Sequence, residues 1–168
     1  MPNPTRPVAV AVAPVIWYQA NSSPPPIARE TVPLADSRSL SVLIVDDNPD
    51  AADSLATILT LKGYPVRMAY NGPDALKLAE DAPPDVVLLD LLMPGMDGWE
   101  VANRLAATRS RPVIVAITGC DGDVNRNRSR WAHIPFHLVK PVAADVLVDL
   151  LRWATRTRAG RQQLDGLA

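Results

Sequence analysis

The chain has 168 residues, 48% of them apolar, which is enough for one domain with a packed core and an appendage. The formal net charge of −1 gives no general attraction to nucleic acid or to anionic membranes. The single cysteine, Cys120, excludes an internal disulfide and a cysteine metal cluster. Because no apolar run reaches the length of a transmembrane helix, we expect a cytoplasmic protein without membrane contact.

Residues 1–38 differ from the rest of the chain in composition, because they contain eight of its 17 prolines. This composition predicts an extended or disordered N-terminal extension without a packed core. One apolar patch, from Val8 to Tyr18, has a single arginine before it and is interrupted by Pro14. A secretory signal, a flexible tail and an artefactual extension from a wrongly chosen start codon remain open for this patch, and we favour the tail.

From Leu40 onward, short apolar segments alternate with amphipathic ones. Strands are predicted at 40–45, 65–70, 85–89, 112–118 and 136–139. Helices are predicted at 49–62, 73–82, 99–108 and 143–158, with a weakly encoded helix within 119–134. Asn48 as N-cap, Pro49 after it and Gly63 as a stop delimit the first helix. The alternation predicts an α/β domain over residues 39–158, with helices on both faces of a doubly wound, five-stranded parallel sheet, and a tail of residues 159–168.

Four of the predicted strands end in polar side chains, namely Asp46 with Asp47, Asp90, Thr118 and Lys140. In a parallel sheet these ends lie on one edge, where open α/β folds bind their ligands. Three neighbouring carboxylates repel one another, and Mg²⁺ with its oxygen ligands would resolve that repulsion. A lysine and a hydroxyl supply donors to phosphoryl oxygens, so this set is suited to accepting a phosphoryl group on one carboxylate. The simpler alternative is that Asp90 only caps a turn.

Residues from Leu40 to Arg158 resemble a receiver domain of two-component signalling, the phosphoacceptor domain of response regulators, in a stand-alone form similar to those of hybrid histidine kinases. The resemblance rests on motifs in a fixed order: Asp46-Asp47-Asn48 with Asp50, Asp90 followed by Met93-Pro94-Gly95-Met96-Asp97-Gly98, Thr118-Gly119, and Lys140-Pro141. It implies the flavodoxin-like strand order 2-1-3-4-5. Neither a Walker-type loop nor a GxGxxG sequence is present, so a bound nucleotide is not suggested.

The resemblance also implies a role for each acidic residue. Asp90 would accept the phosphoryl group from a histidine of a partner kinase or of a histidine phosphotransfer protein. Asp46 and Asp47 would hold Mg²⁺ together with Asp90, and Asp46 would do so through water. The backbone carbonyl of Leu92 would be a further metal ligand. The chain would then be a phosphoryl acceptor that assists its own phosphotransfer and would not be an enzyme.

Lys140 would contact the phosphoryl oxygens, and the hydroxyl of Thr118 would swing toward them. In the family this motion is coupled to an aromatic residue three positions before the lysine, and His137 occupies that position here. His137 is therefore either a switch residue whose charge titrates near neutral pH or a half-exposed histidine of a surface strand. Phe136, its neighbour in the strand, should face the opposite side and belong to the core.

Two further segments carry open alternatives. Residues 128–135 depart from the family pattern and lie in a basic stretch, which indicates either an altered partner surface or, as we favour, a solvated and loosely ordered helix. Val146 and Trp153 widen the apolar face of the last helix. They mark either a homodimer or partner surface or, as we favour, ordinary packing.

The expected function is a phosphorylation-dependent switch of a protein–protein interaction, because nothing after Arg158 is long enough for an output domain. Leu92 and Cys120 lie where the family sets the rate of phosphoryl loss, and an apolar Leu92 predicts slow self-dephosphorylation. A phosphatase with Asp90 as transient nucleophile is a rival, but it would need an acid/base residue where Leu92 stands. A phosphorylation-independent interaction module is the other alternative.

Overall fold

The computed structural model describes residues 16–18, 40–119 and 134–165. The strands are β1 Ile16–Tyr18, β2 Val42–Val45, β3 Val66–Ala69, β4 Val86–Leu89, β5 Val113–Thr118 and β6 Phe136–Val139. The described helices are α1 Pro49–Leu61, α2 Gly72–Asp81, α3 Gly98–Ala106 and α4 Ala144–Asp165. None of these helices is long and apolar enough to cross a membrane. The helix predicted within 119–134 lies almost wholly outside the described residues.

All six strands pair in parallel in one sheet, in the order β3-β2-β4-β5-β6-β1. The five strands from Val42 onward have the predicted flavodoxin-like order 2-1-3-4-5. Helices α1 and α4 cover one face of the sheet with an apolar cluster that includes Leu59 and Leu147. Helices α2 and α3 cover the other face with a second cluster that includes Ala75 and Leu105. This confirms the prediction of a parallel sheet between two helical layers.

The ends of α1 follow directly from its sequence. The Asn48 side chain accepts hydrogen bonds from the backbone N–H groups of Asp50 and Ala51, with Pro49 at the first helical position, as predicted. Gly63 has a φ of 85°, which favours glycine, and its position ends the helix. Asn71 caps α2 in the same way, because its side chain accepts a hydrogen bond from the backbone N–H of Asp74.

Strand β1 was not predicted, because residues 1–38 were assigned to a disordered extension. Ile16–Tyr18 pairs with β6 in the register Ile16 with Phe136 through Tyr18 with Leu138. A β-branched residue followed by two aromatic residues favours an extended strand, but its partner lies far along the sequence. Composition therefore could not reveal this pairing, which makes β6 an interior strand of the sheet.

The last helix also differs from its prediction. Helix α4 continues to Asp165 and so includes most of residues 159–168, which were predicted to form a tail. Gly160 weakens a helix but does not end it when good helix formers such as Arg161 and Gln162 follow. In the first turn of α4, Val146 is 7% exposed. Further along the helix, Trp153 packs edge-on against Phe136 with ring centroids 4.7 Å apart. Ordinary packing therefore accounts for these two apolar residues.

Candidate functional site

The site lies at the carboxyl edge of the sheet, and Asp46 enters it directly after β2. The Asp46 residue is 2% exposed. Its Oδ1 accepts a hydrogen bond of 3.0 Å from the backbone N–H of Asn48. The backbone N–H of Asp46 itself donates to the carbonyl of Ala69 on the neighbouring strand. The start of α1 thus orients one oxygen of Asp46 and leaves Oδ2 directed to other partners.

Asp90 occupies the equivalent place after β4. The residue is 8% exposed, and its backbone N–H donates to the carbonyl of Val45 at 2.8 Å. Its Oδ1 accepts from the backbone N–H of Leu92 at 2.9 Å. Asp46 and Asp90 therefore have the same arrangement, in which a backbone amide two residues later fixes one carboxylate oxygen. The bond from Leu92 N–H is the turn cap of the simpler alternative, whereas the following helix, α3, is capped by Asp97.

Lys140 joins the two carboxylates. Its Nζ lies 2.8 Å from Asp46 Oδ2 and 2.6 Å from Asp90 Oδ2. Burial alone would lower the pKa of Lys140, but its hydrogen bonds to both carboxylates and their negative charge raise the pKa above the ordinary value of 10.5. The lysine is therefore fully charged at neutral pH and balances the charge between two buried acids.

Asp47 completes the acidic cluster from the solvent side. One ligand oxygen from each of Asp46, Asp47 and Asp90 can be chosen so that all three lie within 4.8 Å of one another. Asp47 is exposed, whereas the other two residues are buried. Three carboxylates at this separation form a donor set that suits a hard divalent cation with several water ligands. The predicted carboxylate ligands are thus brought together.

Thr118 and His137 lie on neighbouring strands behind Lys140. Thr118 ends β5 and is fully buried, and its carbonyl accepts a 2.9 Å hydrogen bond from the backbone N–H of Lys140. His137 is also fully buried, so its interpretation as a half-exposed surface histidine is wrong. Strand β1 explains part of this difference, because β6 is not the edge strand that the sequence predicted. Phe136 packs in the apolar cluster under α1 and α4, on the opposite face of the sheet from His137, as predicted.

Gly98 is a site residue whose role sequence reasoning missed. Its N–H donates to the carbonyl of Leu91 at 3.1 Å. A Cβ at this position would overlap the carbonyl oxygen of Asp90 and lie 2.7 Å from Leu91 Cα. The first residue of α3 therefore packs directly against the backbone that carries Asp90. The signal was present as the last glycine of the MPGMDG sequence, but the pattern alone does not show what this glycine approaches.

A family model, the response regulator receiver domain, matches residues 42–152, which is more than half of the chain. The chain belongs to this family. It is therefore a receiver domain of a response regulator in two-component signalling, a class of signalling domain that implies a histidine kinase or another phosphodonor as partner. The match includes every strand from β2 to β6 and all the side chains of the site described above.

Curated relatives of this receiver domain are longer proteins. It is 39% identical over 120 residues to the positive alginate biosynthesis regulatory protein of Pseudomonas aeruginosa. That alignment covers 70% of this chain and 48% of the relative. It is 36% identical over 119 residues to the sensory transduction protein RegX3 of Mycolicibacterium smegmatis. That alignment covers 71% of this chain and 52% of the relative. The chain thus spans about half the length of these curated relatives.

Solved structures also match most of this chain. A CheY-like response regulator receiver domain protein from Methanospirillum hungatei superimposes with a TM-score of 0.70 at 25% identity, covering 73% of this chain and 98% of that chain. The signal receiver domain of a modulated diguanylate cyclase from Desulfovibrio desulfuricans superimposes with a TM-score of 0.67 at 34% identity, with the same coverage. These matches support the fold from β2 to α4.

Proposed function

We propose that this receiver domain accepts a phosphoryl group on Asp90 from a phosphohistidine of a kinase or phosphotransfer protein, and that phosphorylation switches a protein-binding surface. The observation that carries the proposal is the position of Lys140, whose Nζ contacts Asp46 Oδ2 and Asp90 Oδ2 at once. A cation held beside a buried carboxylate can neutralise the charge that a phosphoryl group brings.

In the proposed reaction an oxygen of Asp90 bonds to phosphorus while the phosphorus–nitrogen bond of phosphohistidine breaks. The released imidazole nitrogen keeps the electron pair and takes a proton from solvent. Lys140 Nζ moves from the carboxylates to a phosphoryl oxygen, and the Thr118 hydroxyl donates to another. The Leu92 N–H holds Asp90 Oδ1, which keeps the acceptor carboxylate oriented during attack.

The acidic cluster fits Mg²⁺, because its donor set consists of carboxylate oxygens and its inner side already balances a positive charge. Asp46, Asp47 and Asp90 would hold the ion, with the carbonyl of Leu92 as a further ligand. Bound there, Mg²⁺ supplies charge neutralisation for the incoming phosphoryl group. His137 and Thr118 would form the switch, since both are buried on the strands that end at the site.

The phosphatase alternative is weaker. It requires an acid/base side chain near the phosphorylated carboxylate, and the residue two positions after Asp90 is the apolar, 53% exposed Leu92. The interaction-module alternative gives no reason for Lys140 to bridge two buried carboxylates. A homodimer and a downstream protein target remain proposals as well.

The test is the intact mass of the protein after incubation with acetyl phosphate and Mg²⁺. We expect one added phosphoryl group on the wild type and none on Asp90→Asn, which keeps the shape of the side chain but loses the nucleophilic carboxylate. Omission of Mg²⁺ should strongly reduce the adduct. A folded wild type that binds Mg²⁺ yet forms no adduct would contradict the proposal and favour the interaction module.

We further expect slow loss of the phosphoryl group, with a lifetime of minutes or longer. The exposed Leu92 side chain cannot orient an attacking water beside Asp90. Leu92→Gln, whose amide can hydrogen-bond water, should shorten the lifetime severalfold. The matched control is Leu61→Gln, because Leu61 is an 81% exposed leucine at the far end of α1. Loss of the wild-type adduct within seconds would refute this expectation.

A further inference from the structure

The outer edge of β6 is a surface that the proposed function does not use. Strand β6 carries His137 and leads directly into Lys140, and its other edge pairs with β5. On the outer edge it pairs in parallel with Ile16–Tyr18, with Trp17 opposite His137. A segment from a different part of the chain therefore occupies the edge of the strand that positions the site lysine.

The register shows which backbone groups hold β1. Lys140 N–H donates to Thr118 on β5, and N–H groups of successive residues in a strand alternate in direction. The N–H groups of His137 and Val139 must then point to β1, whereas that of Leu138 points to β5. In the parallel pattern, the carbonyl of His137 accepts from the N–H of Tyr18, while the N–H of Trp17 points away from β6.

Geometry also favours pairing of β6 with β1 of the same chain over pairing with β1 of a second copy. Strand β1 lies four strand spacings from β2, about 19 Å across the sheet. Residues 19–41 connect the two strands, and their contour length of roughly 75 Å far exceeds this distance. A connection of this length gives a tethered segment an effective concentration near the millimolar range, above that of free copies in dilute solution.

We propose that the outer edge of β6 is a strand-accepting surface occupied by Ile16–Tyr18 of the same chain, and that this pairing opposes phosphorylation of Asp90. The coupling rests on the proposed function, in which Lys140, Thr118 and His137 change position. Strand β6 is held on both edges while Lys140 Nζ contacts both carboxylates. The pairing with β1 is observed while Lys140 contacts the unphosphorylated carboxylates, so it stabilises that arrangement. If β6 shifts during phosphorylation and the pairing weakens, the pairing opposes phosphorylation by the same free energy.

The test compares two proline substitutions in neighbouring residues of the full chain. Tyr18→Pro removes the N–H that donates to His137, whereas the control Trp17→Pro removes an N–H on the outer edge, where proline is tolerated. Residue-resolved hydrogen exchange should be at least about tenfold faster at the amides of His137 and Val139 in Tyr18→Pro only. The amide of Leu138, which bonds to β5, is the internal reference and should not change.

The same three proteins are then incubated with Mg²⁺ and a limiting concentration of acetyl phosphate. The phosphorylated fraction of Tyr18→Pro should exceed that of wild type and Trp17→Pro by about fivefold, the lower end of ordinary coupling between sites. Unchanged exchange in Tyr18→Pro would overturn the pairing. Faster exchange with an unchanged phosphorylated fraction would overturn the coupling.

Two further outcomes distinguish this proposal from pairing with a second copy and from failure of the proposed function. If the exchange protection of His137 in the wild type rises with protein concentration, the strand belongs to a second copy and the intramolecular assignment is wrong. If no protein gains a phosphoryl group while the exchange difference persists, the proposed function and the coupling fail together, and the pairing of β1 with β6 stands.

Discussion

Substitution of Gly98 by alanine is expected to destabilise the receiver domain by about 3 kcal/mol or more, the range of severe overpacking. The added Cβ would overlap the carbonyl oxygen of Asp90 and lie 2.7 Å from Leu91 Cα. These are backbone atoms, which cannot move aside as the end of a flexible side chain can. Because Asp90 N–H is bonded to Val45 on β2, a shift of its backbone also disturbs the centre of the sheet.

Helix propensity alone predicts that Gly98→Ala would not destabilise the domain, so the sign of the measured stability change distinguishes the two effects. Gly98 is the first residue of α3, where alanine would ordinarily be neutral or better than glycine by up to about 1 kcal/mol. The matched control is Gly119→Ala, since a Cβ on Gly119 meets no atom of residues 40–119 or 134–165 within 4 Å. Urea unfolding of both variants measures the difference. Equal stabilities of Gly98→Ala and wild type would show that the close approach is relieved at little cost.

Replacement of Lys140 by methionine should have the second large effect, on stability as well as on chemistry. Methionine keeps much of the apolar stem but removes the cation from Asp46 and Asp90, whose side chains are 3% and 10% exposed. Breaking a buried ion pair on one side costs about 3–5 kcal/mol. Since the Lys140 side chain is 30% exposed, we expect Lys140→Met to lower the free energy of unfolding by about 2 kcal/mol in metal-free buffer.

Mg²⁺ should reverse part of that loss. A divalent cation at the acidic cluster restores positive charge beside the two buried carboxylates, so it should stabilise Lys140→Met more than the wild type. Phosphorylation of the variant should nevertheless slow by about 100-fold, because one donor to the phosphoryl group is missing. Urea unfolding with and without Mg²⁺ and the rate of adduct formation measure both effects.

The control for Lys140→Met is Arg104→Met. Arg104 pairs with Glu100 at 2.5 Å, but the two side chains are 56% and 50% exposed. Such a surface pair contributes less than about 1 kcal/mol, and its removal should not depend on Mg²⁺. If both variants lose equal stability and respond equally to Mg²⁺, then Lys140 does not act as the counter-charge of the site.

The sequence predicted the central sheet because its signals are local. The apolar runs of β2 and β4 end in Asp46 and Asp90, and parallel topology brings the two aspartates to one edge. The cap at Asn48 was predictable for the same reason, since every atom in it lies within three residues. The carboxylate cluster and its lysine could therefore be inferred without coordinates.

Features that depend on contacts between distant segments could not be predicted. The burial of His137 depends on what packs against β6, and β1 lies more than a hundred residues earlier in the sequence. The packing of Gly98 against Asp90 depends on the exact path of the loop between β4 and α3. The topology brings Lys140 near Asp46 and Asp90, but it does not specify the distances at which Lys140 Nζ contacts both carboxylates.

The pairing of β1 with β6 has a consequence for how the protein assembles. Residues 16–18 are synthesised more than a hundred residues before their partner at residues 136–138. The contact closes a loop that includes most of the sequence, so it carries a large entropic cost and should form late in folding. Until it forms, β6 has an unpaired edge that can associate with other extended chains. The strand that is synthesised earlier would then join the sheet after its partner strand and would protect that partner from aggregation.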